Sequence, residues 1–371
     1  MTALPGYAPR RAHVPYWLIA ATLAAAFIAV MPIVAAVFVG TGTGTRTAFA
    51  SAAAGEYAVI VRSEETYDVV LAAPVSGGEP VEVTRISHLP GYGIKGQVSP
   101  SGRQLAVLVP DAGSVARPGT SLAVVDLETG ASLRLANAVD DGLAPVWHPA
   151  GDRLVFTRST ASGSLSDVRV LSIPAAGGPE REEFSVRALG VYPFGFTADG
   201  TLAAAVVDGR GSTLMLGGRS ALSLSTQITR DWRLSPDGRR VAFIESDLTN
   251  GLSYRARVVS LDGESGATAQ AMSAAGQQLG VAWLPGTGDV AFGHEPAVAA
   301  TAGDAGAASA QALTAAGFDI PVSYSEAGTA VVQAWSGPSF SDPGRAELTV
   351  VRDGQRTGLG YGMRFLGWSA R

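Results

Sequence analysis

Few side chains in this sequence are of a type that does covalent or proton-transfer chemistry, and their spacing does not gather them. There are four histidines and no cysteine. His13, His88, His148 and His294 stand in separate stretches with no H-E-x-x-H pair, and a histidine-based metal site needs ligands at close spacing. The acidic pairs Glu64-Glu65, Asp140-Asp141 and Glu182-Glu183 fall in expected loops or outer strands, where such charges are usually solvated. Oxygen ligands drawn from several repeats could still converge on calcium, so a calcium-dependent, lactonase-like hydrolase stays open as an alternative. No G-x-S-x-G is present, which removes the hydrolase nucleophile elbow. Gly91-Tyr-Gly-Ile-Lys-Gly96 matches G-x-G-x-x-G, but a dinucleotide site needs a helix after it. A strand is expected there instead, and no nucleotide or other cofactor is implied.

Residues suited to recognition are easier to find. Tyr92 and Lys95, Tyr192 and Phe194, the run Arg230-Asp231-Trp232-Arg233, and Tyr361, Met363 and Arg364 each precede or open an apolar stretch. Aromatic side chains with arginine are enriched at binding hot spots. Aromatics at these positions also suit packing between sheets, and both readings stand at this stage.

What must position these residues is a repeat. A short phrase recurs as Val98-Ser-Pro-Ser-Gly102, Trp147-His-Pro-Ala-Gly151, Phe196-Thr-Ala-Asp-Gly200 and Leu234-Ser-Pro-Asp-Gly238, with weaker copies at 283–288 and 324–328. Each copy sits between two strand-like runs. Proline presets φ, Asp tolerates the next position, and glycine closes the turn in the left-handed region. Two further strand candidates follow in each unit, for example Ser121–Asp126 and Ser132–Leu135. Four short antiparallel strands at a period of about 47 residues predict a β-propeller.

The count favours seven blades, with six as the runner-up because the Ala-rich stretch 297–316 is degenerate. The first unit has strands at Tyr57–Val61, Tyr67–Leu71 and Val81–Thr84 but no inner strand. The orphan strand Met363–Trp368 can supply it, closing the ring and removing an open sheet edge.

The run Ser235-Pro-Asp-Gly-Arg-Arg-Val-Ala-Phe243 and its copies, over roughly residues 55–371, resemble the TolB-like and WD40-like propeller repeats of bacterial envelope proteins. The resemblance implies an all-β propeller. The Trp-Asp and Gly-His signature of eukaryotic WD40 repeats is absent, and no separate α/β domain like that of the Tol-system protein is legible ahead of the repeats. A propeller is implied, and a Tol-system role is not.

Residues 16–40 carry no charge and only Pro32 as a helix breaker. That length suffices for a hydrocarbon core needing about 20 apolar residues. Arg10, Arg11 and His13 precede the run and Tyr16 and Trp17 open it, which places 1–15 in the cytoplasm and everything after 41 outside. The alternative is a signal peptide cleaved after Ala48-Phe-Ala50, though its apolar region would be unusually long. Residues 41–55, rich in Gly, Thr, Ser and Ala, read as a flexible linker, and 56–371 as the propeller. Net charge is −5 with Lys95 the only lysine, so no basic cluster serves nucleic acid. The expectation is a single-pass plasma-membrane protein whose extracytoplasmic propeller binds an envelope protein or peptide without catalysis. A small-ligand or glycan sensor using the central channel is a further alternative.

Overall fold

The computed structural model describes Phe49 and residues 52–114, 117–248, 252–262, 270–271, 277–295 and 317–371. Runs such as Leu105-Ala-Val-Leu-Val109 form strands because both of their faces are covered. Successive side chains alternate across a sheet, so Leu105, Val107 and Val109 pack against one neighbouring sheet while Ala106 and Leu108 pack against the other. Strands buried on both faces read as continuous apolar runs rather than alternating ones. Each fully buried Val, Ile or Leu contributes about 1.5–3 kcal/mol.

Seven antiparallel sheets result, lettered here in chain order and written from the innermost strand outward. Sheet A is Met363–Ala370, Glu56–Ser63, Tyr67–Pro74 and Val81–Ser87; sheet B is Lys95–Val98, Gln104–Ser114, Arg117–Asp126 and Ser132–Asn137. Sheet C is Val146–Trp147, Arg153–Ser162, Leu165–Pro174 and Arg181–Ala188; sheet D is Gly190–Phe196, Leu202–Asp208, Gly211–Leu216 and Arg219–Ser225. Sheet E is Ile228–Leu234, Arg240–Asp247, Ser253–Ser260 and Gln270–Ala271; sheet F holds only Gln277–Trp283 and Val290–Glu295. Sheet G is Phe318–Tyr324, Ala330–Trp335, Ala346–Arg352 and Gln355–Tyr361.

Each sheet packs on the next, and sheet G packs back on sheet A through Val331, Leu348 and Val350 against Ile60, Val69 and Leu71. The fold is an all-β propeller. Six of its sheets are full four-stranded blades, against the seven expected. Sheet F supplies two strands, and the stretch 296–316 that follows lies outside the described residues, as does the membrane segment expected at 16–40. Among the described residues no helix is long and apolar enough to cross a membrane.

The carboxy-terminal strand closes the ring as its sequence predicts. Tyr57 pairs with Ser369, Ala58 with Trp368 and Ile60 with Phe365. Gly55 and Arg371 then exchange backbone hydrogen bonds of 3.0 and 2.9 Å. The folded body also reaches back into the stretch read as linker. Phe49 is buried, edge-on to Tyr57 at 5.1 Å, with the Arg371 guanidinium over its ring.

Strand polarity divides the ring into two ends. Inner strands run from one end to the other and stop at the repeated phrase, so those phrases share one end, the turn end. The connections into each inner strand, and the hairpins between second and third strands, must therefore share the opposite end, the mouth end. At the turn end the phrases build one structure. The Gly238 N–H donates to the Ser235 carbonyl at 2.8 Å, and the Ser235 hydroxyl oxygen accepts from the Arg240 N–H at 2.9 Å. Gly102, Gly151, Gly200 and Gly328 repeat the same turn bond to Ser99, His148, Thr197 and Ser325. All five glycines have φ between +66° and +84°, the region where a side chain is strained.

Candidate functional site

Sheet closure at the mouth end rests on a buried ionic latch. Asp68 in the third strand of sheet A is fully buried. One carboxylate oxygen accepts from the Ile94 N–H at 2.7 Å and from Arg364 of the closing strand at 3.0 Å. Arg364 also donates to the Ile94 carbonyl at 2.6 Å and to Ser63 at 2.8 Å. The buried His88 ring lies 3.3 Å from the other oxygen of Asp68. A buried carboxylate needs such partners to stay ionised at acceptable cost. Gly93 explains the glycine-rich stretch, since a Cβ there would sit 2.6 Å from Arg364. The strand Lys95–Val98 follows, so 91–96 serves the latch and has no helix to receive a phosphate. Among the residues singled out from sequence, Arg364 is thus structural glue. Tyr92 is half-buried in the same connection, and Lys95 ties sheet B to the next connection through Asp141 at 3.1 Å.

A second cluster lies where sheets D and E meet. Tyr192 stacks on Trp232 at 5.1 Å and Phe194 lies at 6.5 Å from the same ring. Trp232 is 5% exposed and its indole N–H donates to the Thr229 hydroxyl at 2.8 Å. It presents no ring face to a partner; it holds Tyr192 and Phe194, both half-buried, between the blades. A β-bulge between Arg230 and Arg233 sets this up. An extra residue in one strand re-aims its side chains, and here Asp231 takes φ +56°, which costs a non-glycine residue about 1 kcal/mol. The result turns Trp232 inward and leaves Arg230, Asp231 and Arg233 exposed.

Arg230 pairs with Asp231 at 3.4 Å and lies over the Tyr254 ring at 4.5 Å. Tyr254 in turn meets Phe340 edge-on at 5.5 Å. Phe340 belongs to the hairpin of sheet G, so this chain of contacts bridges sheets E and G across the short sheet F. Arg233 is different. Its guanidinium is reached by solvent yet surrounded by protein, and that burial pushes its pKa below the usual arginine value, with Asp231 opposing the shift.

Of the exposed large apolar side chains, Tyr361 alone was legible beforehand. Among the described residues these are Leu133, Leu143, Leu189, Ile228, Leu248, Leu252, Phe340 and Tyr361. Leu143, Leu189, Ile228 and Tyr361 lie in or beside connections into inner strands, and Leu248, Leu252 and Phe340 in second-to-third-strand hairpins. All seven are therefore at the mouth end. Only Leu133, on an outermost strand, is elsewhere. Tyr361 is 61% exposed and receives Arg345 over its ring at 5.9 Å.

The other chemistry-bearing residues are engaged locally. Asp140 accepts from the Ser159 N–H and hydroxyl at 3.0 and 2.6 Å. Glu182 accepts from Arg169 at 2.7 Å, and that hydrogen bond holds its carboxyl below the usual range. Glu183 accepts from Ser172 at 2.6 Å. His148 sits in its turn with a ring nitrogen 3.0 Å from Asp152. Among the described residues no three histidine or acidic side chains gather closely enough to hold a metal ion. A cleft of about 450 Å³ lies on sheet G, lined by Trp335, Glu347, Arg356 and Tyr361 among others. It opens on the face of Val332, Thr349 and Val351, which look away from sheet A, that is, toward sheet F.

No family model matches the sequence, and neither does any curated protein. Solved structures do resemble it in fold. TolB from Acinetobacter baumannii is 13% identical over 85% of this chain and 67% of its own, with a TM-score of 0.52. A candidate 6-phosphogluconolactonase from Bacteroides fragilis is 12% identical over 89% and 98%, at 0.50. A prolyl endopeptidase is 14% identical over 84% of this chain and 49% of its own, at 0.51. At such identities the shared property is the TolB-like β-propeller, a scaffold that hosts unrelated functions.

Proposed function

We propose that this chain is a membrane-anchored, extracytoplasmic propeller that captures a protein or peptide of the cell envelope at its mouth end, without catalysis. One observation carries the reading: every exposed large apolar side chain of the described residues but Leu133 sits at that end. Scattered single apolar residues are ordinary on a surface, whereas their gathering on one end marks an interaction site. Tyr192, Arg230, Asp231, Tyr254 and Phe340 add the aromatic and arginine content of a hot spot, with Trp232 as its buried support. Tyr92, Lys95, Phe194, Tyr361 and Arg364 complete the set, with Lys95 and Arg364 shaping the surface through Asp141 and Asp68, while Arg233, next to its turn phrase, stands nearer the turn end.

The anchor is the uncharged run 16–40 with Arg10 and Arg11 ahead of it. Retention of this segment is supported by Phe49, because cleavage after Ala50 would remove a ring packed on Tyr57 and under Arg371. Sheet F is the inner half of a seventh blade.

The test compares the full chain with Leu189→Asp/Ile228→Asp and with Leu133→Asp, by crosslinking in native membranes followed by affinity purification. Partners held by the wild type and the Leu133 variant should be lost from the double variant, at unchanged melting temperature. Equal capture by all three proteins would sink the reading.

A further inference from the structure

The cleft of about 450 Å³ on sheet G owes its space to small side chains. Strand pairing sets Ala334, Glu347 and Tyr361 in one row across the sheet, and Val332, Thr349 and Gly358 in the next row of the same face. Ala334, Thr349 and Gly358 leave a hollow between larger neighbours. Glycine at 358 also lets the Glu347 side chain lie across the outermost strand. A Cβ there would stand 2.8 Å from the carboxyl carbon of Glu347.

The polar groups of the lining are of two kinds. Glu347 is half-buried, and the two arginines beside it are turned elsewhere. Arg356 crosses from the outermost strand to the innermost for two 2.9 Å bonds to Asp319, and Arg345 lies over the Tyr361 ring at 5.9 Å. Trp335 stacks on Phe318 at 6.1 Å, and its indole nitrogen is buried without an acceptor, which costs free energy until one arrives. An acceptor-only carboxylate thus stands among donor-only guanidinium and indole groups. The charges of Arg345 and Arg356 cancel those of Glu347 and Asp319. An anion in this cleft meets Glu347, and a cation meets the arginines. A hydroxyl both donates and accepts, so a neutral ligand dense in hydroxyls satisfies both kinds of group. The aromatic rings offer an apolar surface to the carbon face of such a ligand, and the volume is within the range of small-ligand pockets, about 300–1,000 Å³.

We propose that this cleft binds a neutral saccharide unit. Glu347 accepts from its hydroxyls, Arg345 donates to them, and Tyr361 packs on its carbon face. The site lies on the face of one blade, away from the ring's axis. It stands whether or not the mouth end captures a protein, and it shares Tyr361 with that surface.

The probe is an array of immobilised neutral and charged saccharides, read with the full chain in a polyoxyethylene detergent, which carries no sugar headgroup. Saccharides that are retained are then titrated by calorimetry, with free alanine, a zwitterion, as the competing class of ligand. Wild type should retain neutral saccharides. Affinity should fall about tenfold in Glu347→Ala. It should fall also in Gly358→Ala, whose added methyl displaces the carboxylate and keeps its charge. Glu79→Ala, in a turn of sheet A, should bind as wild type does, and melting temperatures report that each variant is folded. Capture of a protein partner should be unchanged in Glu347→Ala, so a failure here is distinguishable from a failure at the mouth end. Retention of no neutral saccharide, a preference for charged sugars or for free alanine, or equal affinity in Glu347→Ala and Gly358→Ala would overturn the assignment.

Discussion

At the turn end, Gly102, Gly151, Gly200, Gly238 and Gly328 repeat one backbone conformation, closed each time by the same 2.8–3.0 Å hydrogen bond. At the mouth end, among the described residues, the segments between strands range from Leu189 or Gly362 alone to the stretch 336–345, and exposed apolar side chains gather there. The turn end is uniform because each turn there has one task, joining two strands that leave no spare residues. The mouth end is irregular because its loops are released from that task. Strand polarity alone segregates the two, so a propeller of this kind keeps uniform turns and variable loops apart by construction.

The latch of Asp68, His88 and Arg364 is a scaffold device lying at the mouth end, and so offers the hardest test of that division. Asp68→Ala leaves His88 buried without its partner, the Ile94 N–H without an acceptor, and the partly exposed Arg364 unpaired. The expected loss is about 3 kcal/mol, read as a fall in the denaturation midpoint of the full chain. Asp68→Asn, which keeps an acceptor for Ile94, should lose less. A silent Asp68→Ala would mean that strand pairing alone closes the ring.

A matched glycine pair sharpens the contrast at smaller cost. A Cβ on Gly238 would stand 2.4 Å from the Ala198 nitrogen at φ +66°, whereas Gly209, in a mouth-end hairpin, has nothing within 4 Å. Gly238→Ala should cost about 2 kcal/mol and Gly209→Ala no more than about 0.5 kcal/mol. Equal melting shifts would erase the distinction between the two ends.

The smallest effect is acid titration of the turn end. Hydroxyls of Thr197 and Ser235 hold Asp199 and Asp237 below the usual carboxylate range. A folded-state pKa below the unfolded one adds stability that is present above the unfolded value, about 3.9, and disappears as pH falls through the folded value. Thermal melts of the full chain from about pH 5 downward should therefore decline, and the Asp199→Asn/Asp237→Asn variant should decline less steeply. Parallel slopes would remove these carboxylates from the account.

The turn phrases made most of the fold legible, because Ser-Pro-Asp-Gly encodes its conformation locally, and the closing strand was legible as the front half of the same phrase. The proposed recognition surface was less so. Arg230 and Tyr192 were found because arginine and aromatics stand out by type, but Trp232 faces inward through a bulge that no local pattern announces. Leu189, Ile228 and Phe340 were missed, since whether one apolar residue beside a small or polar one meets solvent depends on the curvature of loops that only the assembled ring defines. Phe49 escaped notice for the same reason: its pocket is made by Tyr57 and Arg371, hundreds of residues apart in the chain.

The pairing of Glu56–Ser63 with Met363–Ala370 has a consequence during synthesis. The amino-terminal strand emerges first and waits, one edge bare, while nearly all of the remaining polypeptide is made. Until the final segment is released, the nascent chain can recruit a foreign strand in its place. That edge must therefore be shielded for the whole interval of synthesis, and a substitution that slows the pairing of Met363–Ala370 would lengthen it.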